Sequence, residues 1–283
     1  LHNLSFGKAI KKKLLADYQV IVVGVNDSRV KEMIDQREFI SIKENHKSDA
    51  ASLATQVGFI KAIKDYNLSR LVTFHGRVKK ASDFSKSLPE IYEWTKSEYK
   101  GNKELDIDYV SGKMQTSERR RKLNELKNIE SNQIGILSNA RCLGEGVDVP
   151  NMDGIAFINP KSSEIDIVQS IGRAIRKPDS NKTIGYIILP IFIEDKDSFE
   201  ESIESGAFEP VWKVMNALKS HDEDFKIELD NLRMNLGKTG VTGRTPKFTF
   251  DLPTKINSIF QDKIETHLIE KVSDSWYFFF GLI

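Results

Sequence analysis

Short apolar segments alternate along the chain with longer segments of helical periodicity, and this alternation constrains the fold more than any other feature. The apolar segments lie at 18–25, 70–75, 106–111, 133–138, 154–159 and 183–190. The helical segments lie at about 48–66, 79–98, 116–128 and 163–176. This order is typical of βαβ units, whose strands are parallel because each helix carries the chain back across the sheet. The sequence therefore predicts an α/β fold with a parallel sheet flanked by helices.

The composition is that of a globular protein with a substantial core and almost no net charge. The chain has 283 residues, 39% of them hydrophobic, and a formal net charge of +1. Any contact with a polyanion must therefore come from a local basic patch, and two basic stretches, 112–127 and 169–182, are candidates. Each stretch could instead be a solvated helix face. The single cysteine, Cys142, excludes an internal disulfide and a cysteine-based zinc site.

The apolar runs are too short to cross a bilayer, the longest being segments such as 20–25 and 277–283. No signal-peptide pattern stands at the beginning of the given sequence. We therefore expect a cytoplasmic protein with no membrane partner.

The sequence changes character after Pro190. An acidic segment at 191–210 is interpreted as a linker, 210–236 as an amphipathic helix or helix pair, and 237–248 as a loop or a disordered segment. The apolar stripe on the amphipathic helix is expected to pack on the α/β domain; it comprises Val211, Trp212, Met215 and Leu218. The aromatic run at 276–280 is interpreted as the start of a truncated further domain, or alternatively as a final core helix.

One helical segment carries Gln169, Arg173 and Arg176 at spacings i, i+4 and i+7. At helical periodicity these side chains share one face, and guanidinium groups in a row suit a phosphate chain. A surface ion-pair network is the alternative. Upstream, Gly146 and Asp148 lie in a loop where glycine lets the backbone approach a ligand and the carboxylate can accept hydrogen bonds. That loop could also be a plain turn.

Four segments in this order resemble the second RecA-like domain of superfamily 2 helicases and translocases. They are LVTFHGRV (71–78), DYVSGKMQTSERRRKLNEL (108–126), ILSNARCLGEGVDVP (136–150) and QSIGRAIRK (169–177), and they resemble motif IV, the segment after it, motif V and motif VI. The segment ARCLGEGVDVP is similar in sequence to the corresponding segment of bacterial helicase-like proteins and restriction-enzyme motor subunits. The resemblance runs from about Val20 to Pro190.

The resemblance implies a division of the chain into three parts. Residues 1–25 would be the exit from a first RecA-like domain and a linking strand, residues 26–190 the second RecA-like domain, and residues 191–283 an acidic linker with a truncated helical extension. The three parts together predict a RecA-like sheet followed by a helical C-terminal extension.

The resemblance also implies roles at a nucleotide site. Arg176 would be the arginine finger that reaches the γ-phosphate of ATP bound to the first domain. Arg173 would pair with phosphate or with a motif II carboxylate, and Gln169 would order the site. Gly146 and Asp148 would lie towards the nucleotide.

A second set of residues would bind the nucleic-acid backbone. Asn139 stands in motif V at a position where DEAD-box relatives carry threonine, and His75 and Arg77 follow a strand end. Arg119 and Lys122 come from the basic helix. A structural histidine is the alternative for His75, and a solvated helix face is the alternative for the basic helix.

ATP hydrolysis in this family needs a glycine-rich loop ending in Gly-Lys-Ser/Thr and a downstream acidic metal site. Gly-Lys-Thr occurs at 237–239, but Leu232 stands where the partner glycine should be, and the acidic stretch 221–224 follows no buried strand. Both are expected at the surface, and we expect no metal ligands in this chain. A first RecA-like domain of a parent protein would then bind most of the ATP and its Mg²⁺, and this chain alone would be inactive.

The sequence thus favours the second motor domain of a bacterial ATP-dependent helicase or translocase that acts on double-stranded DNA. The parent could carry a methyltransferase or nuclease module, as in restriction-modification. The alternatives are an RNA helicase domain and a non-catalytic RecA-like binding module.

Overall fold

The computed structural model describes residues 5–26, 46–95, 103–140, 152–159, 164–176, 184–193, 208–227 and 247–251. Seven strands of these segments form one sheet: β1 Asp17–Asn26, β2 Arg70–His75, β3 Glu104–Ser111, β4 Gln133–Ala140, β5 Gly154–Asn159, β6 Ile184–Ile193 and β7 Phe248–Asp251. Their order is β3-β4-β2-β5-β6-β1-β7, and every neighbouring pair is parallel. The predicted parallel sheet is therefore confirmed, together with its six predicted strands.

Within the described segments, six helices flank the sheet: α1 Phe6–Lys11, α2 His46–Asp65, α3 Val78–Trp94, α4 Thr116–Lys127, α5 Glu164–Ala174 and α6 Glu209–His221. The four helices predicted between strands are present, with ends that differ by up to four residues. The helical prediction after Pro190 is divided at Asp222, because α6 ends at His221 and a short helical turn covers 223–227. Helix α1 and strand β7 were not predicted.

The central strands of the sheet are buried on both faces, which explains why they are largely apolar, whereas the outer strand β3 is buried only at its carboxyl end. Strand β1 shows the alternation: Val20 and Val22 join the core under α4, α5 and α6, whereas Ile21 and Val23 join the core under α2 and α3. All four side chains are at most 1% exposed. The architecture is thus a three-layer α/β/α unit.

The segment after Pro190 completes this unit. Val211, Met215 and Leu218 of α6 are buried in the same cluster as Ile187 and Leu189 of β6. Trp212 is partly buried against that cluster. The predicted packing of this stripe on the α/β domain is confirmed. The aromatic run at 276–280 lies outside the described residues.

Parallel strands give the sheet two distinct edges, one with all the amino ends and one with all the carboxyl ends. Helix α5 runs back from the carboxyl end of β5, so its last turn lies beside the starts of β1 and β6. There the Ala16 amide donates to the Ile175 carbonyl at 2.8 Å. Gly185, at the start of β6, lies so close beneath α5 that a β-carbon would be 2.8 Å from Ile175 Cγ2.

Candidate functional site

The two arginines of the QSIGRAIR segment lie at the amino edge of the sheet. Gln169 is exposed and Arg173 half-buried, and both lie on α5. Arg176 is also exposed, but it follows the end of the helix at Ala174. Its amide donates to the Arg173 carbonyl at 3.2 Å, and it forms an isolated antiparallel bridge with Leu15. The predicted continuous helical face therefore extends only to Arg173, and Arg176 is held by the turn and the bridge.

Polar side chains form a hydrogen-bonded chain at the carboxyl ends of β2 and β4. Thr73 Oγ1 lies 2.9 Å from His75 Nε2 and 3.0 Å from Ser138 Oγ. The ring of His75 packs on that of Phe84 in α3, with centroids 4.9 Å apart. The three polar residues are buried, His75 being 5% exposed. They tie together the ends of two neighbouring strands.

Burial, with a smaller contribution from the positive charge of Lys80, lowers the pKa of His75 from 6.5 to about 4. The imidazole is therefore neutral at physiological pH. A neutral, buried ring cannot attract a phosphate by charge, so this geometry favours the structural alternative for His75.

Exposed cations surround this end of the sheet. Arg77 occupies the N-cap position of α3, and Lys79 and Lys80 lie exposed in its first turn, which contains no acidic residue. The amino end of a helix carries partial positive charge, so these side chains add to a local positive potential. Lys113 is exposed in the turn after β3. The sequence motifs indicate Arg77 but not the three lysines, although each lysine follows a strand end within a few residues.

Asn139 lies on β4 between Phe74 of β2 and Val110 of β3 in the strand register. It is 1% exposed. Its side chain points to the opposite face of the sheet from that of Ser138, because successive residues of a strand alternate. Asn139 thus lies at the expected strand end but beneath the surface.

The basic residues of α4 point in different directions. Lys122 is 8% exposed, forms an ion pair with Asp108, and lies 5.3 Å from the centroid of the Tyr109 ring. Arg121 pairs with Glu125 at 2.6 Å on the exposed side. Arg119 is half-buried and donates to Thr116 Oγ1 at 3.2 Å. Lys122 therefore fastens α4 to β3, whereas Arg119 lies one turn nearer the carboxyl edge.

The expectation that the acidic stretch 221–224 lies at the surface is wrong for Asp222, which is 0% exposed. Its Oδ2 accepts hydrogen bonds from the Tyr18 hydroxyl at 2.7 Å and from Lys247 Nζ at 2.9 Å. Its Oδ1 accepts from the amides of Asp224 at 3.0 Å and Phe225 at 3.3 Å. Burial alone would raise the pKa of the Asp222 carboxyl, but the bonds from Lys247 and Tyr18 outweigh burial and lower it. Asp222 is thus a structural anchor.

The structure separates the two predicted sets of site residues. Gln169, Arg173 and Arg176 belong to α5 and its end, whereas His75 and Asn139 lie at the opposite edge of the sheet. At about 3.3 Å per residue, strands of this length place the two edges on the order of 20 Å apart. Gly146, Asp148 and the Gly-Lys-Thr at 237–239 lie outside the described residues.

Two further properties concern the described residues only. Within them, no group of three or more histidine, cysteine, aspartate or glutamate side chains is placed to hold a metal ion. None of their helices combines the length and apolar character that a bilayer-spanning helix requires.

Comparison with known proteins shows similarity to helicases. Residues 61–178 match the family described as the helicase conserved C-terminal domain. The chain is 34% identical over 88 residues to "Putative helicase 22" of Sulfolobus islandicus filamentous virus, covering 31% of this chain and 15% of that protein. It is 27% identical over 175 residues to "Uncharacterized killer plasmid pGKL-2 helicase" of Kluyveromyces lactis, covering 60% of this chain and 29% of that protein.

A solved structure extends the similarity over nearly the whole chain. It is described as "ATP-dependent Type ISP restriction-modification enzyme LlaBIII bound to DNA", with a TM-score of 0.79 and 26% identity. The match covers 95% of this chain and 18% of the other, so the chain spans less than a third of each of these three proteins.

The fold and the order of its motifs define a RecA-like α/β domain. Residues 61–178 match the helicase conserved C-terminal domain, and the domain is similar to the second RecA-like domain of superfamily 2 helicases.

Proposed function

We propose that this chain is the second motor domain of a parent ATP-dependent helicase or translocase that acts on DNA in the cytoplasm. The parent would bind ATP and Mg²⁺ mainly through a first RecA-like domain, and it could carry a methyltransferase or nuclease module. The observation that carries the proposal is the placement of Gln169, Arg173 and Arg176 around the end of α5, within the matched helicase domain.

The side chains at the end of α5 fit a phosphate chain presented by another domain. The Arg176 side chain is exposed while its backbone is held in the bridge to Leu15, so the guanidinium can project from a fixed base. A guanidinium presents several donors in a planar fork suited to phosphate oxygens. Arg176 would stabilise charge on the transferred phosphoryl group, Arg173 would pair with phosphate or a carboxylate, and Gln169 would order the site. Gly146 and Asp148 would complete the nucleotide side.

The opposite edge fits a nucleic-acid backbone. Arg77, Lys79, Lys80 and Lys113 are exposed there, and Arg119 is half-exposed at the start of α4. Such cations contact phosphates without reading sequence. His75 and Asn139 would act beneath this surface by holding the strand ends, and Lys122 by holding α4 against β3 through Asp108.

The first experiment measures ATP hydrolysis by the purified 283-residue chain with and without DNA. We expect negligible turnover, because this chain supplies arginines but no Gly-x-x-x-x-Gly-Lys-Ser/Thr loop. Turnover that DNA stimulates and that Arg176→Ala abolishes would contradict the proposed division of labour between two domains.

The second experiment measures the affinity of the chain for duplex DNA over a range of salt concentrations. Each phosphate contact removed should lower the slope of log affinity against log salt by roughly 0.9. We therefore expect Arg77→Ala and Lys79→Ala each to lower the slope, whereas Lys86→Ala, an exposed lysine two turns further along α3, should leave it unchanged. If all three variants have the same slope as the wild type, the carboxyl edge does not bind the nucleic-acid backbone.

The same titration, together with the ATP turnover of the parent, distinguishes the alternative functions. DNA is favoured because the similar structure at 26% identity is described as bound to DNA. A preference for RNA of the same length would support an RNA helicase domain. Binding without any effect of Arg176→Ala on the parent's ATP turnover would support a non-catalytic RecA-like module.

A further inference from the structure

Helix α1 lies between the end of α5 and the acidic turn at 222–224, and it contacts both. The turn is fixed in place because Asp222 accepts hydrogen bonds from Tyr18 of β1 and from Lys247. The acidic stretch, which sequence analysis interpreted as exposed surface, therefore offers α1 a rigid support.

Charge and close contact hold α1 on this support. Lys8 pairs with Glu223 at 3.3 Å and Lys11 with Asp224 at 2.7 Å. The hydrogen bond to Asp224 raises the pKa of the Lys11 ammonium. A β-carbon on Gly7 would lie 2.9 Å from Asp222 Oδ1, and Asp222 cannot move aside without losing its partners. Only glycine allows α1 to approach this closely.

The other side of α1 reaches α5. The ring of Phe6 lies where a β-carbon on Gly172 would be 3.6 Å away. It is also 6.5 Å from the ring of His221, at the end of α6. Phe6 therefore joins α1 to both neighbouring helices.

The chain then turns sharply towards Arg176. Lys13 adopts a left-handed backbone with φ of 58°. Its amide donates to the Ile10 carbonyl at 2.8 Å, and that of Leu14 to the Ala9 carbonyl at 3.0 Å. This reversal brings Leu15 into the bridge with Arg176 and lets the Ala16 amide donate to the Ile175 carbonyl at 2.8 Å.

We propose that segment 5–16, docked on the acidic turn at 222–224, is the positioning element for Arg176. Arg176 lies beyond the last residue of α5, so the helix alone does not fix it, and the bridge to Leu15 supplies a second attachment. Phe6 and Gly7 act through this attachment and are positioning residues. The inference rests on the proposed role of Arg176.

The first test uses hydrogen exchange in the 283-residue chain, which needs no ATP. Phe6→Ala should speed exchange of the Ala16 and Arg176 amides by roughly tenfold or more, while the Val22 amide in the core of β1 stays protected. Gly7→Val places a larger side chain between α1 and the acidic turn, and it should speed exchange of the same two amides. Phe6→Leu should restore protection, and Lys12→Ala, an exposed neighbour, should match the wild type.

The second test measures ATP turnover of the parent. Phe6→Ala should lower kcat by about ten- to a hundredfold with little change in KM for ATP, since misplaced catalytic groups affect the transition state more than substrate binding. Phe6→Leu should recover most of the activity. Unchanged exchange at Ala16 and Arg176, or unchanged kcat in Phe6→Ala while Arg176→Ala is inactive, would overturn the inference. If Arg176→Ala itself leaves kcat unchanged, the proposed function fails, and with it any catalytic role for the segment.

Discussion

Replacing His75 with glutamine should remove a specific part of the acid sensitivity of this domain. The imidazole is 5% exposed, hydrogen-bonds Thr73 through Nε2 and packs on Phe84. Glutamine can place a polar atom near the position of Nε2 but does not titrate, so His75→Gln changes the proton balance more than the packing.

The expected magnitude follows from the pKa of His75, which burial, helped by Lys80, lowers from 6.5 to about 4. Between these two pH values the unfolded chain binds a proton that the folded chain does not. The free energy of unfolding therefore falls as the pH drops through this window, and the contribution of neutral His75 is complete only above about pH 6.5. A difference of this size corresponds to about 3 kcal/mol.

The assay is urea unfolding of the 283-residue chain at intervals from pH 7.5 to about pH 4. The wild type should lose up to about 3 kcal/mol more than His75→Gln over this range. His221→Gln, which removes an exposed histidine at the end of α6, is the control for replacing an imidazole outside the core. Parallel curves for the wild type and His75→Gln would refute the claim that His75 is held neutral by burial.

Three other substitutions, with Gly112→Ala as a control, test the packing and the ion pairs. Gly154→Ala should lower the free energy of unfolding by roughly 3 kcal/mol, because its β-carbon would lie 2.5 Å from the Tyr186 carbonyl oxygen. Gly112→Ala should be nearly neutral in the same urea experiment, because its β-carbon would have no atom within 4 Å. Asp222→Asn should lower the free energy of unfolding by roughly 3 kcal/mol at neutral pH. Because the pKa of Asp222 is lowered in the folded state, this difference from the wild type should shrink as the pH falls below 3.8, the ordinary pKa of an aspartate. Lys122→Met should lower the unfolding midpoint by breaking the pair with Asp108, yet leave the salt slope of DNA binding unchanged if Lys122 is structural.

The sheet could be predicted because both signals that define it are local. Runs such as 20–23 and 155–158 are apolar at every position, and helices such as α3 carry an apolar stripe, so element type and order follow directly. Strand β7 could not be predicted in this way. It has four residues, pairs only with β1 among the described strands, and lies next to a stretch rich in glycine and threonine.

The geometry around the predicted site residues could not be predicted from the sequence. The spacing of Gln169, Arg173 and Arg176 indicated a shared helical face, whereas α5 ends at Ala174 and the position of Arg176 depends on Leu15, which is remote in sequence. Similarly, charge pattern suggested that Lys122 and Asp222 were exposed. Their burial arises from pairing with partners on other elements, which a local pattern does not reveal.

The most direct test of the account is DNA-stimulated ATP turnover of the parent carrying Arg176→Ala. If Arg176 is the arginine finger, kcat should fall by roughly 10³-fold or more while ATP binding changes little. Lys127→Ala, an exposed cation at the end of α4, should leave turnover at the wild-type rate. A fall of less than about tenfold in Arg176→Ala, with the domain still folded, would contradict the proposed role of this edge in catalysis.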